Sequence, residues 1–383
     1  MPEGHTVHRL ARTFGEVFGG QAVEVSSPQG RFAAGAALVD GLVLHAAEAV
    51  GKQMFLGLGP ADHSPSAPGL ADDLRWVRVH LGLYGSWTFA SDGSTEVSHA
   101  IGAPRKRVGE RETVLAAAAP EGSTTGARAG VTSTRRSDSG ALGSVSRIAG
   151  AGDDDALGDP GADDALGDDA DLDAWEPPDP RGAVRVRILS AHAVADLTGP
   201  TACEVISPES ALAVQRRLGP DPLRRDADPE RFVSAVRRSR SAVGLLLMNQ
   251  DVVAGVGNIY RAEALFRAGQ SPTTPGRDVP SDVLHEIWDD LVVLMADGAA
   301  IGAIVTTRPE HRGDGAAAPP PRGRRAVRQN TDAAPGAVPR DESFYVYQRD
   351  GLPCRVCGTQ IARTEMAGRN LFWCPSCQRD DRR

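Results

Sequence analysis

Four cysteines near the end of the chain have the spacing of a metal site. Cys354 and Cys357 form one Cys-x-x-Cys pair, and Cys374 and Cys377 form a second pair 16 residues later. Each pair forms a tight turn that presents two thiolates, and the intervening length suits a β-hairpin that closes a tetrahedron. Because this pattern leaves no open coordination position, it predicts one structural Zn²⁺ ion. An iron–sulfur site and a redox thiol pair are the alternatives.

Other residues whose types could take part in chemistry are scattered along the chain. Pro2 and Glu3 follow the first Met, which on its own is an ordinary helix start. Lys52 lies in a turn, where a solvated lysine is the plain interpretation. Arg369 follows a glycine between the cysteine pairs. It is either an ordinary surface charge or a contact to phosphate or base. The Gly-rich turn at 255–258 precedes a helix, and exposed amides at such a start bind anions.

Hydrophobic patterning predicts an α+β chain. An amphipathic helix opens it, followed by short runs typical of a sandwich or barrel. The predicted strands are 21–25, 42–46, 53–58, 74–80, 86–89 and 184–188. From about residue 207 the pattern becomes helical: Asp228 caps a helix with Pro229 at its first position. A longer helix is predicted over 281–296, ended by Gly298.

These patterns divide the chain into segments. The predicted segments are an N-terminal β domain at 1–206, a helical domain at 207–306, a flexible Pro- and Arg-rich insert at 307–342 and a zinc module at 343–383. Within the β domain, residues of about 110–180 carry 16 acidic residues and 5 arginines. This stretch repeats the hexapeptide DDALGD, and we predict a disordered, solvated insert.

Charge and composition narrow the function classes. The formal net charge is −8, but the acidic insert accounts for it and leaves the rest of the chain net positive, so nucleic acid stays a possible partner. No apolar run approaches the length of a membrane span. The start of the chain lacks a secretory signal pattern, so we expect a cytoplasmic protein. The fifth cysteine, Cys203, is expected to be an ordinary buried thiol.

Taken together, the motifs resemble those of the formamidopyrimidine-DNA glycosylase and endonuclease VIII family. The matching pieces are MPEG at the start, Gly51-Lys52 before an apolar run, DVVAGVGNIYRAEALF at 251–266, and the zinc module with its lead-in YVYQRDGLPC. Gly4 in the opening resembles the endonuclease VIII branch, because the purine-specific branch typically has Leu-Pro there. The resemblance implies an N-terminal β-sandwich with an N-terminal helix, a helix-two-turn-helix domain and a C-terminal zinc-ribbon finger.

The resemblance also implies catalytic roles. Removal of the first Met is expected to expose the secondary amine of Pro2, which attacks the sugar C1′, expels the base and forms an iminium. Strand cleavage by elimination follows from the same intermediate. Glu3 is suited to proton transfer during ring opening and base release. Lys52 matches the family's β-domain lysine, which contacts a phosphate next to the lesion and assists catalysis.

The implied DNA contacts lie on three separate elements. Asn258 at the helix start and Arg369 in the ribbon match residues that grip the lesion-flanking phosphate. The run HLGLYG at 80–85 matches the family's wedge loop, so Leu83 and Tyr84 are candidates to fill the space left by a flipped nucleotide. The other interpretation of that run is a strand end that packs into its own core. Three histidines are treated as structural: His5, His8 and His80.

The predicted function is a bifunctional DNA glycosylase and abasic-site lyase of base excision repair. It would remove oxidised bases, pyrimidines favoured, from damaged duplex or single-stranded DNA and cleave the strand by β,δ-elimination. The alternatives are an oxidised-purine glycosylase and a non-catalytic protein that binds damaged DNA. Pro2, Glu3 and Lys52 favour an enzyme. We expect a monomer associated with the nucleoid, with no membrane partner.

Overall fold

The computed structural model describes residues 2–63, 74–94, 100–102, 175–312 and 338–379. Most of the predicted acidic insert, and the central part of the predicted Pro- and Arg-rich insert, lie outside the described residues. No helix in the described part of the chain combines the length and the apolar character needed to cross a bilayer.

The N-terminal part contains two antiparallel sheets and two helices. The helices are α1 (Gly4–Phe18) and α2 (Ala33–Val39). The strands are β1 (Glu24–Ser26), β2 (Val43–Val50), β3 (Gln53–Gly59), β4 (Arg75–His80), β5 (Ser86–Ser91), β6 (Ala100–Gly102), β7 (Val184–Leu189), β8 (Ala193–Thr198) and β9 (Ala202–Ile206). One sheet has the order β1-β7-β8-β5-β6 and the other β2-β3-β4-β9. One apolar core joins α1 to both sheets, as in the predicted sandwich.

Four elements of this part were not predicted, and the first predicted strand is shorter. The run 21–25 contributes to a strand only from Glu24 onward, while Ala22 forms an isolated bridge to Val43. Strands β6, β8 and β9 and helix α2 were missed. Strand β9 is only partly buried, so its sequence lacks the apolar alternation on which strand prediction depends.

The helical part contains five helices among the described residues. They are α3 (Pro208–Arg217), α4 (Pro229–Arg237), α5 (Val243–Leu246), α6 (Asn258–Arg267) and α7 (Ser281–Ile301). Helix α4 begins as predicted: Asp228 accepts a hydrogen bond from the Glu230 amide, and Pro229 occupies the first turn. Helix α6 begins at Asn258, also as predicted, directly after Gly257.

The predicted end of the long helix at Gly298 is wrong. Helix α7 continues through Gly298 to Ile301 and ends at Gly302, whose φ of 77° is left-handed. A Cβ atom on Gly298 would overlap the hydroxyl of Tyr260 on α6. Gly298 therefore permits the close packing of two helices, whereas Gly302 supplies the backbone conformation that ends this one.

The C-terminal part is a two-stranded hairpin on a buried lead-in. Its strands are β10 (Ala362–Met366) and β11 (Arg369–Trp373), joined by a two-residue turn with positive φ at Ala367 and Gly368. Positive φ at both positions is the geometry of a type I′ turn. The lead-in at 344–347 belongs to the same apolar core as the helices, so hairpin and helical part share one core.

Candidate functional site

Glu3 caps a helix that begins 255 residues further along the chain. Its carboxylate is fully buried and accepts hydrogen bonds from the amides of Gly257 and Ile259, each at 2.9 Å. The amide of Tyr260 lies 3.4 Å from the same group. These amides belong to the first turn of α6, where unpaired N–H groups and the helix dipole favour a negative charge. Glu3 is thereby fixed in one position, with the buried Pro2 directly before it.

Glycines bring three distant segments into backbone contact around Glu3. The Gly4 amide donates to the Gly255 carbonyl at 2.8 Å, and a Cβ atom on Gly4 would lie 2.7 Å from the Gly255 Cα. A Cβ on Gly51 would lie 3.0 Å from the Gly255 nitrogen, and one on Gly257 would overlap the Glu3 side chain. The backbones of the chain start, the β2–β3 turn and the start of α6 therefore approach one another closely at these glycines.

Side chains of the protein itself bind the amides of the Gly-rich turn. The sequence suggested that the glycines let a phosphate approach and that exposed amides at the helix start bind an anion. The structure gives the Gly257 amide to Glu3 and the Gly255 amide to the Gln250 side chain at 3.0 Å. Neighbouring protein atoms, including the Met295 methyl group, occupy the space beside Gly255. The glycines of this turn therefore serve packing within the protein.

Lys52 is half-buried at the tip of the β2–β3 turn and points toward α6. Its Nζ atom donates to the carbonyl of Val256 at 2.6 Å. Burial lowers the pKa of Lys52 to about 8, the nearby Glu3 opposes that shift, and the cation of Arg369 reinforces it. The structure thus brings Lys52 into the electrostatic range of both Glu3 and Arg369.

Asp221 is a buried carboxylate that holds this arrangement from behind. One of its oxygens accepts hydrogen bonds from the His8 ring nitrogen and the Gly51 amide, each at 2.7 Å. The other oxygen accepts a hydrogen bond from the Leu223 amide at 2.9 Å. These bonds connect α1, the turn that carries Lys52 and the loop after α3. His8 therefore has the structural position that was predicted for it.

The other two histidines differ in their surroundings. His5 is buried with its ring edge-on to Tyr260 at 5.4 Å, and burial lowers its pKa to about 3. His80 pairs in the sheet with Gln53, the residue after Lys52. Burial lowers the pKa of His80, and Lys52 and Arg78 add to the shift. His80 therefore lies among the cations of the site, a position that its assignment as structural did not anticipate.

Asn258 and the ribbon meet at the start of α6. The Asn258 side-chain nitrogen donates to the Asn370 carbonyl at 2.9 Å, and its oxygen accepts from the guanidinium of Arg261. Asn370 follows Arg369, the half-buried first residue of β11. The predicted residues Glu3, Lys52, Asn258 and Arg369 therefore surround the first turn of one helix.

Leu83 and Tyr84 lie on the loop between β4 and β5. Their side chains are 42% and 61% exposed, so they do not pack into the core of their own sheet. Within the described part of the chain, neither forms a hydrogen bond or ring contact with Glu3 or Lys52. The structure leaves both available at the surface, separate from the group around α6.

The four cysteines form a structural zinc site. Their Sγ atoms lie within 4.8 Å of one another, with Cys354 to Cys377 at 3.9 Å and Cys357 to Cys374 at 3.5 Å. Four sulfurs at about 2.3 Å from one tetrahedral ion would be about 3.8 Å apart, so the donor set fits Zn²⁺. The amide of Val356 points at the first of these sulfurs at 3.5 Å, as a thiolate requires.

Sequence analysis missed three buried charged residues that organise the site: Asp221, Arg261 and Glu263. The carboxylate of Glu263 is fully buried and accepts from the amides of Tyr345, Val346 and Tyr347 at 2.7–2.9 Å, and from the Thr306 hydroxyl. A signal existed for two of them. The segment NIYRAEALF is apolar on every side apart from Arg261 and Glu263, and a helix with that pattern is buried all round.

Comparisons with known proteins agree with this geometry. The family model "Formamidopyrimidine-DNA glycosylase H2TH domain" matches residues 218–309, and "Zinc finger found in FPG and IleRS" matches residues 351–379. The chain is 35% identical over 381 residues to "Endonuclease 8 1" of Mycobacterium tuberculosis, covering 99% of this chain and all of that protein. It is 36% identical over 164 residues to a formamidopyrimidine-DNA glycosylase of Geobacillus kaustophilus, covering 42% of this chain and 52% of that protein.

Solved structures show the same fold. The Lactococcus lactis Fpg in complex with DNA containing an abasic site matches with a TM-score of 0.58 at 16% identity, covering 99% of this chain and 100% of that chain. The helix-two-turn-helix and zinc-finger matches, together with the full-length relative, define the class. The chain belongs to the formamidopyrimidine-DNA glycosylase and endonuclease VIII family of DNA glycosylases.

Proposed function

We propose that this glycosylase removes oxidised bases, pyrimidines in preference, and then cleaves the abasic strand. The observation that carries the proposal is the seating of Glu3 on the first turn of α6, with Lys52 beside it. The proposal uses the Glu3 carboxylate, one residue after Pro2, for proton transfer and the Lys52 cation, within electrostatic range of Glu3, for phosphate. An acid–base group and a nucleophile held together by packing are what base displacement requires.

The proposed reaction begins with the amine of Pro2, once Met1 has been removed. An α-amino group with a pKa of about 7.7 to 8.0 is partly neutral at physiological pH. The neutral amine attacks the sugar C1′, the C1′–N bond breaks, and the base leaves with a proton. Glu3 acts in the proton transfers of ring opening and base release. The product is an iminium between Pro2 and C1′.

Strand cleavage uses the same iminium. Its positive charge acidifies the C2′ protons, so loss of one expels the 3′ phosphate, and a second elimination expels the 5′ phosphate. Lys52 stabilises the charge of the departing phosphates. Hydrolysis of the iminium then returns the free amine of Pro2. The overall proposal is β,δ-elimination.

DNA contacts belong to the same proposal. Asn258 and Arg369 grip the phosphate beside the lesion from two elements, the helix start and the ribbon. Leu83 and Tyr84 enter the space left by the flipped nucleotide, which suits their exposure on a loop. A monomer acting on damaged DNA, duplex or single-stranded, is sufficient for these contacts.

The preference for pyrimidines is supported by one comparison. The relative named endonuclease 8 matches along its whole length, whereas the formamidopyrimidine-DNA glycosylase of Geobacillus kaustophilus covers 42% of this chain. Gly4 in the opening also resembles the endonuclease VIII branch, because the purine-specific branch typically has Leu-Pro at this place.

Borohydride trapping tests the proposal. Protein with Pro2 confirmed by mass spectrometry as its first residue is mixed with oligonucleotides that carry an abasic site, an oxidised pyrimidine or an oxidised guanine. We expect covalent adducts on the abasic and pyrimidine substrates and ends bearing phosphate on both sides of the gap. Pro2→Gly removes the secondary amine and should reduce adduct yield, whereas Glu16→Gln, an exposed change on the helix that follows Pro2, should not.

Two results would redirect the assignment. Adducts on the guanine substrate alone would move the protein to the oxidised-purine branch with the same chemistry. No adduct on any substrate, with DNA binding intact, would identify a non-catalytic protein that binds damaged DNA.

A further inference from the structure

Arg261 is a buried cation for which the proposed reaction has no use. Its side chain is fully buried on α6, one turn after Asn258. Within the described part of the chain, its hydrogen bonds go to amide and carbonyl oxygens of Asn258, Asn370 and Gly244 rather than to a carboxylate. Burial lowers its pKa only to about 10, so the guanidinium is charged at neutral pH. Glu3 lies within electrostatic range and opposes this lowering, but no described carboxylate forms a hydrogen bond with Arg261. Burying a guanidinium against neutral oxygens is costly, which calls for a functional reason.

The chemistry of the guanidinium dictates the orientation of Asn258. A guanidinium has five N–H donors and no acceptor, so only the oxygen of the Asn258 amide can face it. The amide nitrogen must then point away from Arg261. One of its two hydrogens is directed to the Asn370 carbonyl at 2.9 Å, and the other can serve an anionic oxygen. With the amide reversed, the oxygen would face that anion and repel it.

The same guanidinium holds the ribbon. Its Nη2 atom also donates to the Asn370 carbonyl at 3.3 Å, and Asn370 is the neighbour of Arg369 in β11. One buried cation therefore touches both elements that carry the proposed phosphate contacts. Arg261 itself is fully buried, so it has no surface to offer a phosphate directly.

We propose that Arg261 is a positioning residue for the lesion-flanking phosphate. It fixes the amide of Asn258 as a hydrogen-bond donor toward the phosphate and ties the ribbon beside Arg369 to the same point. This inference rests on the proposed phosphate contact of Asn258. It adds a residue that touches no phosphate itself and acts through Asn258 and the ribbon, and it assigns a function to the buried guanidinium.

A double-mutant cycle tests the inference. Arg261→Met keeps most of the side-chain volume and removes every donor, and Asn258→Ala removes the amide. Affinity is measured at fixed salt for a duplex with a tetrahydrofuran abasic-site analogue. Each single change should weaken binding by roughly tenfold, the value of one charge-assisted hydrogen bond. If Arg261 acts through Asn258, the two losses should be less than additive: the double variant should bind more tightly than the product of the two single losses predicts. Any loss beyond that of Asn258→Ala alone reports the contact with the ribbon.

The salt dependence of binding separates positioning from direct contact. Arg261→Met should leave the slope of log Kd against log salt unchanged, whereas Arg369→Met should reduce it by about one. Arg277→Met, an exposed arginine paired with Asp278, is the matched control and should change neither quantity. Zinc content and thermal melting establish that each variant is folded. Where Arg261→Met does not fold, Arg261→Lys takes its place in the cycle.

The outcomes are distinct. Additive losses in the cycle, or unchanged affinity in Arg261→Met, would overturn the inference while the proposed phosphate contact of Asn258 stands. Unchanged affinity in Asn258→Ala would remove the phosphate contact and the inference together.

Discussion

Glu3 and Glu263 are two fully buried carboxylates that serve the two regions of one helix. Each accepts from three backbone amides. Glu3 comes from the start of the chain and receives the first turn of α6. Glu263 belongs to α6 itself and receives the ribbon lead-in at 345–347. Glu3 therefore attaches the start of the chain to the beginning of α6, and Glu263 attaches the ribbon lead-in to the middle of α6.

The neighbours of the two carboxylates distinguish their functions. Glu263 has a fourth donor, the Thr306 hydroxyl, so all of its lone-pair positions are used by the protein. Burial raises the pKa of Glu263 against the effect of those donors. Glu3 lies beside Pro2 and within range of the Lys52 cation. Burial and amide contacts are therefore common to both carboxylates, and the proposed catalytic part of Glu3 rests on its position directly after Pro2 and near Lys52.

The largest expected effect separates the two carboxylates by chemistry. Glu3→Gln should slow base release by about 100-fold or more, the usual contribution of a general acid or base. Trapping on a preformed abasic site should persist, because that substrate has no base to release. Single-turnover assays with an oxidised pyrimidine and borohydride trapping measure the two steps. Equal loss in both assays would mean that Glu3 acts only by holding α6.

At the other carboxylate we expect an effect on stability. Glu263→Gln places an NH₂ group against backbone N–H donors and should cost about 2 to 4 kcal/mol of unfolding free energy. Urea unfolding measures this quantity. Base release by the folded fraction should fall less than in Glu3→Gln. A severe loss of base release at unchanged stability would give Glu263 a direct part in the chemistry and break the comparison.

The third expected effect concerns the glycine contacts at the Glu3 end. Gly4→Ala sets a Cβ atom 2.7 Å from the Gly255 backbone, which cannot rotate away, and should cost about 2 kcal/mol or more. Gly15→Ala, on the exposed side of the same helix with open space around it, should instead stabilise by about 0.5 to 1 kcal/mol. Thermal unfolding of the pair gives both values. Two stabilising results would show that the contact between segments is loose.

The pH profile reports the titration of Lys52, the lysine at the Glu3 end. With the Lys52 pKa lowered to about 8 by burial, its protonated fraction falls about tenfold per pH unit above that value. The kcat/KM for an oxidised pyrimidine should therefore decline above about pH 8. The arginine of Lys52→Arg stays charged over this pH range. The decline of kcat/KM in this variant should therefore move to higher pH, whatever the maximum activity of the variant. An unmoved decline would assign it to another group.

The smallest expected effect lies in the ribbon that the Glu263 end supports. Ala367 has a φ of 53°, and a left-handed conformation costs an alanine about 1 kcal/mol. Ala367→Asn gives the Asn-Gly pair that type I′ turns favour and should stabilise by about 0.5 to 1 kcal/mol. The melting temperature of the zinc-loaded protein measures it. A decrease would show that the turn relies on the small alanine side chain.

The zinc site and the helix starts could be predicted because each depends on a short stretch of sequence. The four cysteines lie within 24 residues, and the cap at Asp228 acts on an amide two residues later. The strand runs of the sandwich were also largely recognisable. Position in a local pattern was sufficient for all of these.

What was missed depends on contacts between distant segments. Gly298 looked like a helix end because the group that requires a glycine there, the Tyr260 hydroxyl, lies 38 positions away in the sequence. Arg261 and Glu263 were not singled out, because a charged side chain is usually solvated, although the apolar surroundings of α6 indicated burial. The contacts of Asp221 join segments for which no local pattern predicts proximity.

The bond from the Gly4 amide to the Gly255 carbonyl also constrains the order of folding. It closes a loop of about 250 residues. The chain loses the entropy of closing this loop before the contacts between the two segments can stabilise it. During synthesis the opening helix emerges long before its partner exists. Pro2, Glu3 and Lys52 can therefore come together only late, after α6 has formed. Hydrogen exchange at the amides of Gly257 and Ile259 should accordingly follow global unfolding rather than local fraying.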